Sequence, residues 1–183
     1  MKLSGQIWNV KDLSLDQRDE MVVLMQQYYK GVGYHEFEAD LADKKWVIVL
    51  VDEETRTIQG FSTQTLMSCT VGDKPITALF SGDTIVARPF WGQNPLAGVW
   101  GQFVIDLIDR QLNKSLYWFL ISKGYKTYRY LPVYFHEFYP RFDRETPVHM
   151  QWMIDELARA RFSNAYDAGT GVVHSQGCRL VAG

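Results

Sequence analysis

Apolar positions along the chain change their spacing several times, and each change marks an element. Met21, Leu24, Met25 and Tyr28 fall on one face of a helix spanning 15–29. Ser14 and Gln17 supply the S-x-x-Q capping box before it, which satisfies free N–H groups at a helix start. A polar loop through Gly31 and Gly33 ends this helix, and FEADLADK (37–44) predicts a short second one. WVIVLVDEETRTIQGFSTQTLM (46–67) reads as two strands joined by a polar turn at Glu53–Arg56. VGDKP (71–75) is the next turn, and ITALFSGDTIV (76–86) the next strand. Three consecutive antiparallel strands, a meander, are therefore expected after one or two helices.

The spacing then returns to that of a helix. Asn94 suits an N-cap and Pro95 the first helical position. Leu96, Val99, Trp100, Phe103, Leu107 and Ile108 recur at helical spacing to about Gln111. LYWFLI (116–121) is a continuous apolar run, as in a strand buried on both faces. Coming after a helix, it can lie parallel to the strand at 76–86, with a right-handed crossover. Beyond Lys123, a short helix broken near Pro132 is expected, then irregular aromatic chain. TPVHMQWMIDELARARF (146–162) predicts a last helix, with Thr146 as N-cap and Pro147 at the first helical position. The expected organisation is one domain over 1–162, followed by a Gly-rich tail or truncated extension over 163–183.

Composition narrows the class. The chain has 183 residues, 46% hydrophobic and 22% charged, as in a soluble globular domain. Aromatic residues reach 14%, so a core or cleft is lined by large flat side chains. A net charge of −2 argues against a dedicated nucleic-acid binder. No run approaches the roughly 18 apolar residues of a membrane span, and MKLSGQIWNVKD lacks the apolar core of a signal peptide. Cys69 and Cys178 alone make no disulfide framework, so a reduced, cytoplasmic protein is the default.

Several positions carry candidate chemistry. Asp83 lies mid-strand in FSGDTIV, where Asp is depleted and costly to bury unpaired. It is either a working carboxylate or a structural one that pairs with an arginine or caps a bulge at Gly82. Ser81 and Thr84 are its polar companions. SKGYKTYRY (122–130) interleaves Lys123, Lys126 and Arg129 with Tyr125, Tyr128 and Tyr130, which a solvated helix face, packing aromatics or a stacking nucleic-acid surface would each explain. HEFYP (136–140) begins like a zinc helix but carries Pro140 where the second histidine belongs. His35, His136, His149 and His174 show no ligand spacing, so no metal is expected. The start of a helix at 94–97 offers free N–H donors and the positive end of a dipole, which suit an anion.

The element order of helices, three antiparallel strands, helix, strand and helix resembles the GNAT superfamily of N-acyltransferases over residues 15 to about 135. The resemblance implies an α/β fold with a mixed, mainly antiparallel central sheet flanked by helices. It implies transfer of an acyl group from acyl-CoA, acetyl-CoA or a longer chain, to an amine acceptor. A carrier-protein thioester is an alternative donor, and a non-catalytic GNAT-like module binding a small molecule or a protein the alternative function. In the family, a Q/R-x-x-G-x-G/A loop after the fourth strand holds the pyrophosphate of acyl-CoA. VARPFWGQNPLA (86–97) sits in the matching place, which makes Arg88, Trp91, Gly92, Gln93, Asn94, Leu96 and Ala97 the implied cofactor-binding residues. In that register Trp91 replaces the usual Arg or Gln, Asn94 the first glycine and Leu96 the second; Gly92 is kept. Lys123 and Ser122 stand where the family often has an Asn against the CoA arm. The resemblance also implies Asp83 as the base that takes the amine proton and Tyr128, about seven residues past LYWFLI, as the acid at the leaving thiolate. The partners to test for are a small-molecule amine, an acyl carrier protein and a second copy of the chain, with neither nucleic acid nor membrane expected.

Overall fold

Helix α1 (Leu15–Tyr28) starts where the capping box predicts. The Ser14 hydroxyl accepts from Gln17 N–H at 3.2 Å, and Gln17 Oε1 accepts from Ser14 N–H at 2.9 Å. Helix α2 (Tyr34–Ala42) begins three residues before the expected Phe37, because the Glu36 carboxylate turns back to accept from Gly33 N–H at 3.1 Å. The computed structural model describes residues 2–93, 95–110, 115–122 and 124–174. The expectations placed on Asn94, Gln111, Lys123 and Cys178 lie outside them.

Strand β1 (Leu3–Asn9) was not expected; it pairs antiparallel with β2 (Trp46–Asp52). β3 (Ile58–Val71) and β4 (Lys74–Val86) complete the predicted meander, turning at Gly72 with φ +60°. Helix α3 (Pro95–Arg110) crosses to β5 (Leu116–Leu120), which lies parallel to β4 over Thr77–Ser81. The sheet order is β1-β2-β3-β4-β5, four strands antiparallel and one parallel. The expectation that LYWFLI is buried on both faces is corrected: all five β5 residues are half-buried. Among the described residues β5 is the last strand in the sheet, with a neighbour on one side only.

The core lies on both faces of β2, where Val47, Ile48, Val49 and Leu50 are wholly buried. On one face α3 sets Phe103 and Leu107 against Leu79, and Val99 against Gly5. On the other, Phe37 of α2 meets Phe61 edge-on, and Met153 and Leu157 of α6 (Val148–Phe162) pack on Ala78. Pro147 takes the N-cap position of α6 rather than the first helical one, and its carbonyl accepts from Met150 and Gln151. Between β5 and α6 run two short helices, α4 (Tyr125–Tyr128) and α5 (Tyr130–Tyr134). The break falls at Arg129, not near Pro132, which sits in the first turn of α5 where its missing N–H costs no bond. Residues 163–174 form a turn and a small hairpin, β6 (Tyr166–Asp167) with β7 (Val172–Val173). The Tyr166 hydroxyl donates to Asp155 at 2.7 Å and ties this hairpin to α6. No helix among the described residues is long and apolar enough to cross a membrane.

Candidate active site

The register of β3 and β4 slips at one place. Ser62 pairs with Thr84 and Gln64 with Ser81, so Thr63 alone faces both Gly82 and Asp83. The carboxylate singled out in the sequence therefore stands on a β-bulge, half-buried. A chain of hydrogen bonds braces it on the α3 face. Trp118 Nε1–H donates to Ser81 Oγ at 2.8 Å, Ser81 to Gln64 Oε1 at 2.7 Å and Gln64 Nε2 to Ser62 Oγ at 2.8 Å. Ser62 and Thr84 hydroxyls share a bond of 2.7 Å. Gln64 is wholly buried, and both ends of its amide are satisfied by this chain.

Behind the bulge lies Lys44, a residue that the sequence reading missed. Its ammonium is enclosed, bonded to Asp40 through the carboxylate at 2.8 Å and the carbonyl at 2.9 Å. A Cβ added to Gly82 would fall 2.8 Å from Lys44 Cε and 2.6 Å from Thr63 Oγ1, so a side chain there would have to displace one of them. Burial pushes the Lys44 pKa below the ordinary lysine value, against the pull of Asp40 and, more weakly, Asp83. Arg161 of α6 reaches the same corner, paired with Asp40 and Asp43 and lying over the Phe80 ring at 5.0 Å. Tyr29 is near enough to Asp83 to feel its charge: burial first, then Asp83, raises its phenol pKa.

The β4–β5 ladder ends at the Ser81–Leu120 pair. From Gly82 on, β4 keeps β3 on one side and has no described strand on the other, and Asp83 lies in this part of the strand, which we call the wedge between β4 and β5. The loop after β4 leads from this wedge to the start of α3. Its backbone is largely engaged: Arg88 N–H donates to the Tyr28 hydroxyl at 2.9 Å, Trp91 N–H to Arg88 and Gln93 N–H to Phe90. The N–H groups of Trp91 and Gln93 are thus used within the loop itself. Gln93 Oε1 also accepts from Leu3 N–H at 3.4 Å, joining the loop to β1. In the first turn of α3, Pro95 has no N–H, and Leu96 and Ala97 are the positions whose N–H groups have no carbonyl four residues back within the helix. The Leu96 side chain packs into the core, which leaves only its backbone to a ligand. A methyl at Gly98 would meet nothing within 4 Å, so the outer side of the helix start is clear. Gly92 adopts φ +100°, a conformation that favours glycine. Arg88 is exposed, its guanidinium 5.6 Å from the Tyr28 ring and 6.0 Å from that of Trp91. A helix start with open space at Gly98 and an exposed guanidinium at Arg88 are features that suit an anionic group.

The space between α3 and the segment α4–α5 is filled by rings. Trp100 lies 4.5 Å from Trp118, and Phe135 lies 5.3 Å from Trp118 and 6.4 Å from Trp100. Tyr128 meets Phe138 edge-on at 6.1 Å, and its hydroxyl is buried with no partner among the described residues. The structure thus brings Asp83, Arg88, Gly92, Leu96 and Ala97 to one continuous strand–loop–helix unit, with Tyr128 on the element beyond β5. Among the described residues, no three His, Cys, Asp or Glu side chains gather as metal ligands.

No protein-family model matches the sequence, and no curated protein matches it. Solved structures do match. AAC(6')-Iy, in complex with the bisubstrate analogue CoA-S-monomethyl-acetylneamine, is similar at TM-score 0.54 and 12% identity, over 80% of this chain and all of that one (100%). Ribosomal-protein-alanine N-acetyltransferase from Brucella melitensis biovar Abortus gives TM-score 0.54 at 12% identity, covering 81% of this chain and 98% of its own. Glucosamine-6-phosphate N-acetyltransferase from Arabidopsis thaliana gives 0.52 at 13%, covering 79% and 99%. With the bulged fourth strand, the parallel fifth and the helix between them, these matches identify the fold of this chain as that of the GNAT acyltransferases.

Proposed function

We propose that the protein is an N-acyltransferase that moves an acyl group from a coenzyme A thioester to an amine. The observation that supports this reading is the end of the β4–β5 ladder at Ser81–Leu120, directly before Asp83 and the loop that leads to α3. The α3 start and Arg88 hold the phosphates of the donor, and the arm runs from there into the wedge. The acceptor nitrogen attacks the thioester carbonyl carbon, a C–N bond forms and the C–S bond breaks. The sulfur leaves with the bonding pair as a thiolate. Asp83 takes the proton that the amine loses, and the Tyr128 hydroxyl protonates the thiolate. Solvent returns the proton from Asp83 to Tyr128. AAC(6')-Iy with its CoA-containing analogue supports the donor class, and the acetyltransferases named above support the reaction type.

A second reading, a binding module without catalysis, is favoured by Leu96, whose side chain is spent on the core at a position where the family pattern has glycine. An acyl-carrier thioester is the alternative donor. Calorimetry with CoA, acetyl-CoA and a long-chain acyl-CoA, followed by an assay of thiol release with an amine panel, separates these. Binding with amine-dependent thiol release is expected. Binding without release would select the second reading, and no binding at millimolar ligand would overturn the CoA donor.

A further inference from the structure

Gly82 and Lys44 meet beside Asp83, and neither is required there by its own element. Gly82 does not take the left-handed conformation that favours glycine, so its backbone would accept a side chain. What the missing Cβ leaves is room for Lys44 Cε and Thr63 Oγ1, at 2.8 and 2.6 Å from where it would lie. Lys44 follows the last turn of α2 and donates to the Asp40 carbonyl, a bond that an exposed lysine could make equally well. Instead its side chain is 0% exposed. Burying an ammonium costs free energy that an apolar side chain in the same space would not. Asp40 does not require it either, being 37% exposed and paired also with Arg161 at 3.2 Å.

The neighbouring carboxylate gives the buried charge a use. Asp83 follows Gly82 on the same bulge and is half-buried. Burial favours the neutral acid, and a neutral acid cannot take up a proton. Around this corner stand Tyr29 from the end of α1, Asp40 and Asp43 from the end of α2, and Arg161 from α6. Arg161 pairs with both of these acids, so the Lys44 ammonium is the charge set directly against the Gly82 backbone. Lys44 feels the charge of Asp83, more weakly than that of Asp40, and such an influence is mutual. We propose that Lys44 is a positioning residue for the transfer: its ammonium, fixed behind Gly82, holds Asp83 in the ionised form that accepts the amine proton. The inference rests on Asp83 as the base of the acyl-transfer reading and deepens it.

The test reads Asp83 directly and needs no substrate. The Asp83 carboxyl carbon is followed by NMR on carbon-13-labelled protein between about pH 3 and 7, assigned as the signal absent from Asp83→Asn. Lys44→Met removes the charge and keeps most of the bulk. Its Asp83 titration midpoint is expected to rise by about half a unit or more. Asp40→Asn removes a negative charge from the same corner, so there the midpoint should fall. A change of packing does not produce these opposite signs. Tm of Lys44→Met should equal or exceed that of wild type, since Asp40 keeps Arg161 as a partner. An unmoved midpoint in Lys44→Met would overturn the inference, and with a lowered Tm it would make Lys44 a structural pair for Asp40. Should Lys44→Met fail to fold, an unmoved midpoint in Asp40→Asn overturns it, as do shifts of the same sign in both. Full turnover by Asp83→Asn would instead remove the base, and with it the part of Lys44 in the transfer, at any value of the midpoints.

Discussion

Gly5→Ala probes how closely α3, the helix whose start is proposed to hold the donor's phosphates, is seated on the sheet. A Cβ on Gly5 would fall 2.5 Å from Val99 Cγ2 and 3.2 Å from Leu50 Cδ2. Carbon atoms in good contact lie about 3.5–4.0 Å apart, so the helix and strand must part by about 1 Å. Val99 cannot swing away cheaply, because a β-branched side chain on a helix has one strongly preferred rotamer. The far half of α3 is held by Phe103 and Leu107 against Leu79, so the strain falls on its N-terminal turns. Overpacking of this kind costs about 1–3 kcal/mol. At an open site Gly→Ala would stabilise by about 0.4–1 kcal/mol, so the sign alone is informative. Urea unfolding should show a net loss of about 2 kcal/mol at unchanged m, and Tm should fall by about 4–8 °C. In a Val99→Ala background the same substitution should cost less than about 0.5 kcal/mol, giving a coupling of about 1–2 kcal/mol. A neutral or stabilising Gly5→Ala, or strict additivity in the double variant, would refute this account of the α3 seat.

Three further outcomes are expected. Asp83→Asn should lower turnover by about 10²–10⁴-fold while Tm stays near wild type, and full activity would remove Asp83 from the mechanism. Tyr128→Phe deletes a buried hydroxyl with no described partner, so stability should hold while kcat falls; unchanged turnover would make Tyr128 a packing residue. Burial, then the hydrogen bond to Asp155, pushes the Tyr166 pKa from 10.0 up to about 12. A raised pKa means that the fold favours the protonated phenol. Its contribution to stability is whole below pH 10 and is lost as pH rises through about 12. Tyr166→Phe should therefore lose less stability than wild type across that window, and parallel curves would contradict the shift.

What could be read in advance follows the range of the interactions involved. The α1 cap was legible because Ser14 and Gln17 satisfy each other three residues apart. The meander was legible because turn residues and alternating strands are local signals. β1 was not, since LSGQIWN mixes Gly and polar residues, and its strand state depends on pairing with β2, from Asn9 with Trp46 to Leu3 with Asp52, far along the chain. LYWFL is apolar enough for the sheet centre, but sheet order puts it last, a fact no window of sequence contains. Asp83 stood out because a carboxylate in a strand is uncommon. Lys44 did not, since a lysine four residues after an aspartate on a helix ordinarily reads as a solvated pair. Its burial depends on the absent side chain of Gly82 on a strand far along the chain. The loop at 87–93 could be located but not interpreted, because its own turns decide which N–H groups remain for a ligand.

The two flanks of the bulge are built differently, and the difference bears on mechanism. On the α3 face the Trp118–Ser81–Gln64–Ser62–Thr84 chain fixes both strands at the slip in register. On the opposite face Lys44 and Thr63 occupy the space that a side chain at position 82 would need. The backbone at Gly82–Asp83 is therefore held from both sides before any ligand arrives. Toward β5, no described strand pairs with β4 beyond Ser81. In the proposed function Asp83 is the base, and a base that must meet a proton at hydrogen-bond distance gains from such bracing, because a displacement of about 1 Å can cost about a hundredfold in rate. The same proposal brings the thioester to the β5 side, which leaves the braced strand undisturbed. Loss of one link, as in Gln64→Leu, would leave the Ser81 and Ser62 hydroxyls without their buried partner and release the bulge from one face. Within the proposed function, this hydrogen-bonded chain is a positioning device for Asp83, and Gln64→Leu is expected to lower turnover with less effect on donor affinity, whereas unchanged turnover would leave it a purely structural brace.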